Sequence, residues 1–208
     1  MCGRYNNHLP KMHGWAEALK EWPIIEPSFN VAPSSMIASF RTRRGEAMRW
    51  GMVPPWAQTF DSKFATFNAR IETVDEKSTF KNAWNQSQRC LIPMAGYYEW
   101  SGLKDNKTPF YISDQNQGCL VVAGLYEEWS NGQLSCTMLT AAAKGDLSHI
   151  HHRMPIMLTQ DGVKDWIYGE NDKDSILNLA QPEVSFYPVS SAIGNVKNND
   201  PSLIIPVA

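Results

Sequence analysis

The sequence predicts an α+β fold: a curved, mostly antiparallel β-sheet or open barrel with short helices at its periphery. Three observations point there. Strand-like apolar runs recur: RCLIPMAGYYEW (89–100), TPFYISD (108–114), CLVVAGLYEEW (119–129) and LSCTMLTAAA (134–143). Polar turns such as LKDNK and SNGQ separate them. Helical periodicity is confined to short stretches. At 208 residues, 43% hydrophobic and 19% charged, the chain can bury a substantial core. It has no internal repeat, low-complexity tract or linker, so residues 1–208 read as a single domain.

Taken in order, His13–Trp22 reads as an amphipathic helix with Trp15, Leu19 and Trp22 on one face. MIASFRT and EAMRWGMV flank Arg43-Arg44-Gly45 as a β-hairpin. Ser78–Asn85 reads as helical and places Phe80 and Trp84 together. The four long strand runs follow. Asp161–Tyr168 and Lys173–Leu179 read as two short helices, and VSFYPVS and LIIPVA as closing strands.

Composition excludes several classes. No apolar run reaches the ~18 residues of a membrane span, and MCGRYNNHLP has no signal-peptide core, so a cytoplasmic protein is expected. Cys90, Cys119 and Cys136 lie in apolar runs and read as reduced core residues. No Cys/His spacing suits zinc, and His149, His151 and His152 lack an acidic or Cys partner nearby, so no metal and no cofactor is expected. The net charge of −2 is unevenly spread: residues 1–100 carry +3 and residues 101–208 carry −5. The first half is arginine-rich, which allows a local phosphate-binding face on an acidic body.

Several polar residues sit in apolar or aromatic surroundings. Once Met1 is removed, Cys2 is a 1,2-aminothiol. Its amine, with a pKa of about 7.7–8.0, can condense with an aldehyde, and its thiol, near about 8.5, can close on the imine as a thiazolidine. Without that chemistry it is an incidental second residue. Glu99 follows an apolar strand among Tyr97, Tyr98 and Trp100. It is either a desolvated acid/base or a strand residue turned to solvent. Asn68 and Arg70 alternate along an extended segment and share a side, where they can orient a reactant and hold an anion, or serve as a buried amide and a surface charge. His151 can move protons near pH 7 or simply line a polar loop. Trp50 and Trp100 read as core, while Trp56, in the loop VPPWAQ, reads as partly exposed and able to stack on a nucleobase.

The ordered set Cys2-Gly3-Arg4, FNVAPS (29–34), WGMVPPWA (50–57), FNARIETV (67–74), RCLIPMAGYYEW, TAAA (140–143), IHHRMPIML (150–158) and PVSSAIGNVKN (188–198) resembles the SOS response-associated peptidase (SRAP) family over nearly the whole chain. The resemblance implies a protein that senses abasic sites in single-stranded DNA and captures them as a thiazolidine crosslink through Cys2, with Asn68, Glu99 and His151 as the other catalytic residues. It implies DNA contacts from Arg4, Asn30, Pro33, Trp56, Arg70, Trp100, Arg153, Asn195 and Lys197, a monomer, and association with the nucleoid when damaged DNA is bound. It also leaves room for β-elimination and for a second reading, an N-terminal-nucleophile peptidase acting in self-processing or crosslink reversal. A noncatalytic single-strand binder is the third, and it gives Cys2 no role. Ala95 and His152 stand where acidic residues are common in the family.

Overall fold

The computed structural model describes residues 2–8, 15, 19–41, 43–60, 66–103, 106–170 and 172–207. In chain order the strands are β1 (Tyr5–Asn6), β2 (Met36–Phe40), β3 (Gly45–Trp50), β4 (Asn68–Arg70), β5 (Arg89–Met94) and β6 (Gly96–Leu103). They continue as β7 (Asn106–Asp114), β8 (Leu120–Glu128), β9 (Leu134–Ala142), β10 (Arg153–Pro155), β11 (Met157–Leu158) and β12 (Val184–Pro188). Among the described residues four short α-helices accompany them: α1 (Lys81–Asn85), α2 (Leu147–Ile150), α3 (Gln160–Tyr168) and α4 (Lys173–Leu177).

The curved sheet with few helices is as the sequence predicts, but the barrel closes. β9 lies antiparallel to β8 and parallel to β3, so the ribbon β9–β3–β2–β5–β8 returns on itself. Closure removes both edges that an open sheet would expose. A second, four-stranded sheet, β1–β6–β7–β12, stands beside the barrel. The run 89–100 is therefore two strands, broken at Ala95, whose N–H donates to the Asn6 carbonyl. From there β5 enters the barrel and β6 enters the second sheet.

Period-two alternation splits the barrel side chains between two cores. Ile37, Met48, Trp50, Cys90, Ile92, Cys136 and Met138 join Cys2, Tyr5 and Tyr97 in one cluster. Phe40, Leu91, Val121, Leu125 and Leu139 join Trp84 and Trp166, from the helices, in the other. Space in the first is tight: a methyl group at Gly124 would stand 2.8 Å from Ile92 Cδ1 and 2.9 Å from Cys90 Sγ. Cys90, Cys119 and Cys136 are buried thiols, as expected.

The predicted hairpin is β2–β3, and the predicted helices appear as α1, α3 and α4. Thr159 Oγ1 caps α3 by accepting from the Gly162 N–H, and Asp172 caps α4. Two expectations change. Most of the helix over His13–Trp22 lies outside the described residues. Leu19 N–H does donate to the Trp15 carbonyl, but Glu21 is already in a parallel bridge with Arg44, so the chain is extended by then. LIIPVA is not a strand: Asp200 and Pro201 start a 3-10 turn over Pro201–Ile204, and only Pro206 bridges back to Val189.

Candidate active site

The site forms where the N-terminus is clamped between the second sheet and the segment before β2. Tyr5 pairs with Tyr97 of β6 on one side and exchanges both backbone bonds with Val31 on the other. Tyr98 N–H donates to the Arg4 carbonyl. On its other side β6 packs closely on β7, and a glycine is needed there: a methyl group at Gly96 would lie 2.6 Å from the Ile112 carbonyl oxygen. This clamp buries Cys2 completely. Its Sγ points to the Arg4 carbonyl at 3.9 Å. Burial, and then the nearby Glu99 carboxylate, push the thiol well above the usual cysteine range, so it rests as S–H at neutral pH.

Asn68 opens β4, which pairs parallel with β9 at Met138. Its Nδ2 donates to the Cys2 carbonyl at 2.7 Å, a contact across 66 residues of chain. Its Oδ1 is buried and has no hydrogen-bond partner among the described residues. Such a buried acceptor is costly unless something arrives to use it.

Glu99 sits in β6 opposite Phe110 and is 5% exposed, which settles its orientation: it faces inward. Its Oε1 accepts a 3.3 Å hydrogen bond from the Trp100 N–H. His151 follows α2, which packs on β6, and Ser101 Oγ ties the two by donating to the His149 carbonyl. His151 Nδ1 lies 3.0 Å from the Arg153 N, and in the Nε2–H tautomer it accepts from that N–H. The same nitrogen lies 3.2 Å from the Arg153 carbonyl, so the charged ring keeps a partner there. Burial lowers the His151 pKa, and Glu99 opposes it by favouring the imidazolium. The His152 ring lies against it, with centroids 4.2 Å apart. Cys2, Asn68, Glu99 and His151 thus converge from four segments, with Glu99 acting electrostatically on both the thiol and the imidazole.

The remaining predicted residues divide in two. Arg70, Lys197, Asn195 and Trp56 are exposed, Trp56 by 57%, while Pro33 and Trp100 are half-buried. Arg4, Asn30 and Arg153 hold internal partners. Arg4 Nη1 donates to Asn30 Oδ1 at 2.9 Å and to the Ile193 carbonyl at 3.0 Å. Asn30 Nδ2 donates to the carbonyls of Asn195 and Asn198 at 3.0 and 2.9 Å. Together they fix the loop that carries Lys197. Arg153 forms a bidentate pair with Glu72, at 2.6 and 2.9 Å, and also donates to the Thr140 carbonyl. The pair spans 81 residues, so no local pattern in the sequence joins the two. No group of three or more His, Cys, Asp or Glu residues able to hold a metal occurs among the described residues. None of the described helices is long and apolar enough to cross a membrane.

An N-terminal cysteine buried beside a carboxylate, an amide and an imidazole defines a class of protein built around residue 2. Comparison with known proteins gives the class its name: residues 1–196 match the SOS response associated peptidase (SRAP) family, and the chain belongs to it. It is similar to the abasic site processing protein YoqW of Bacillus subtilis, with 37% identity over 98% of this chain and 99% of that one. It is also similar to the abasic site processing protein HMCES of Gallus gallus, with 30% identity over 87% of this chain and 66% of that one. A crystal structure of a Bordetella bronchiseptica protein superposes with a TM-score of 0.76 at 26% identity, covering 91% of this chain and all of the other.

Proposed function

We propose that the protein, once Met1 is removed, captures abasic sites in single-stranded DNA as a covalent thiazolidine. The observation that carries this reading is the convergence of Cys2, Asn68, Glu99 and His151, with Asn68 bound directly to the Cys2 carbonyl. The relatives named as abasic site processing proteins support it.

The chemistry follows from the groups present. The Cys2 amine attacks the aldehyde carbon of the ring-opened sugar, and water departs as the imine forms. The thiol then adds across the C=N bond, so the net change is one water lost. Glu99, a carboxylate at rest, is suited to relay a proton from the attacking amine to the departing hydroxyl, and then the thiol proton to the imine nitrogen as sulfur attacks. His151 Nε2–H is suited to protonate the sugar oxygen on ring opening. Asn68 Oδ1, the unused acceptor, is suited to orient the new amine. Holding both nucleophiles on one residue makes the second bond intramolecular, which contributes several kcal/mol, roughly as in other positioned reactions.

DNA contact is assigned to the exposed and half-buried groups: Arg70 and Lys197 to phosphates, Trp56 and Trp100 to base stacking, and Asn195 and Pro33 to the walls. Arg4, Asn30 and Arg153 shape those walls from behind. The protein acts as a monomer, and its binding weakens steeply with salt.

Intact-mass analysis tests the proposal. Met1-free protein mixed with a single-stranded oligonucleotide bearing one abasic site should give the summed mass less one water. Cys2→Ala should abolish the adduct and leave noncovalent binding in place. Equal crosslinking by a Met1-retaining form would overturn the aminothiol mechanism.

A further inference from the structure

We infer that Trp50 is a positioning residue for the Cys2 reaction, setting the distance between Cys2 and Asn68. The inference rests on the reading of the site just given. Trp50 ends β3 and is fully buried. Its backbone is anchored in the barrel wall: its N–H donates to the Ser35 carbonyl at 2.9 Å, and its carbonyl accepts from the Ser34 N–H at 2.7 Å. It also pairs with Cys136 of β9. From that fixed base the indole reaches both halves of the site. One contact is edge-on to the Tyr5 ring, with centroids 5.2 Å apart at 74°. Tyr5 lies in β1, three residues after Cys2 in the clamped N-terminal segment. The other is to Phe67, the residue before Asn68, with ring centroids 5.8 Å apart at 80°.

The indole also makes a directional bond: Nε1–H donates to the Phe67 carbonyl at 2.9 Å. That carbonyl accepts a second bond, from the Met138 N–H at 3.1 Å. The peptide leading into Asn68 is therefore held by barrel strand β9 on one side and by Trp50 on the other. The Asn68 Nδ2 bond to the Cys2 carbonyl, at 2.7 Å, has little slack, since hydrogen bonds weaken quickly outside a narrow window. Any buried indole N–H needs an acceptor, and the acceptor here is the peptide that leads into Asn68. The N–H thus aims Asn68 while the ring braces Tyr5, in the N-terminal segment that carries Cys2.

Trp50→Phe separates the two roles. It keeps an aromatic ring, removes the donor, and leaves the Phe67 carbonyl bonded to Met138, so the chain should fold. At saturating abasic single strand, the first-order rate of adduct formation should fall by about 10- to 100-fold, the range a small misplacement costs. The DNA concentration for half-saturation, and the affinity for an intact strand, should stay unchanged. Phe40→Leu, buried in the other core cluster, supplies the stability control and should crosslink at the wild-type rate. Wild-type rates in Trp50→Phe, or equal slowing in Phe40→Leu, would overturn the assignment. Should Trp50→Phe not fold, Phe67→Leu, which keeps the backbone acceptor and loses only the ring contact, should show a smaller slowing. The side-chain amide resonances of Asn68 give a second readout that needs no DNA. They should shift in Trp50→Phe and not in Phe40→Leu. If wild type forms no adduct, the proposed reaction fails while this NMR comparison still decides the role of Trp50.

Discussion

Cys2 is not a surface thiolate waiting for an electrophile. Burial and the field of Glu99 keep it protonated, the form of a thiol that reacts slowly with oxidants and alkylating agents. This yields a prediction with two opposite signs. Glu99→Gln removes a negative charge that raises the thiol pKa, so Cys2 in the DNA-free protein should be alkylated by iodoacetamide faster than in wild type at pH 8. The same variant loses the group proposed to move protons in the crosslinking sequence, so adduct formation should slow by about 100-fold, the usual scale for a general acid/base. Quench-flow alkylation and a gel-shift time course read the two rates. Parallel loss of both would mean that Glu99 merely holds the fold. The sequence allowed Glu99 two orientations. Its near-complete burial decides between them, and that burial depends on α2 and His151 arriving from fifty residues downstream, which local alternation along β6 does not encode.

At the scale of elements, arginines do the joining. Arg153 pins β10 to the turn after β4 through Glu72, and its backbone N–H and carbonyl both lie within reach of His151 Nδ1. Arg4 and Asn30 tie the N-terminal strand to the loop at 193–198. Their motifs are plain in the sequence, and the family resemblance implies DNA contacts for all three. The partners that occupy them were not legible, because Glu72 lies 81 residues from Arg153 and Ile193 lies 189 residues from Arg4. Glu72→Gln should therefore destabilise the fold by about 1.5 kcal/mol at pH 7, the low end for a hydrogen bond to a charged group, because the Glu72 carboxylate is partly in water. The pH dependence has a definite sign. Arg153 lowers the Glu72 pKa, so this stabilisation is present above the unfolded carboxyl value and is lost as pH falls through the folded one. Urea titrations should show the variant and wild type converging below about pH 4. Arg4→Ala should loosen the Lys197 loop, lowering affinity for intact single strands without touching the adduct rate at saturation. A change confined to that rate would instead place Arg4 at the reacting sugar.

For the whole molecule, the strands and short helices were legible because alternation and turn residues are local signals. Barrel closure was not, since it rests on Trp50 meeting Cys136 in parallel across 86 residues and no local pattern marks such a pairing. Closure also buries Glu127, on β8 opposite Ser135 of β9. Asn82 Nδ2 donates to both of its carboxylate oxygens at 3.2 Å. One neutral amide does not replace bulk water, so burial raises the Glu127 pKa against the smaller opposing effect of that hydrogen bond. Its sign is opposite to that of Glu72. The contribution to stability is fully present below the unfolded carboxyl pKa, where the group is protonated in both states. It is lost as pH rises through the folded value, because the charged form must then be held in the barrel wall. Glu127→Gln keeps an acceptor for Asn82 and removes the charge. If the relief is about 1 kcal/mol, the melting temperature at pH 7 should rise by about 2–4 °C for a chain of this size, and the gain should vanish near pH 4. Scanning calorimetry at the two pH values reads both effects. A lower melting temperature at pH 7 would show that the carboxylate is stabilised where it stands.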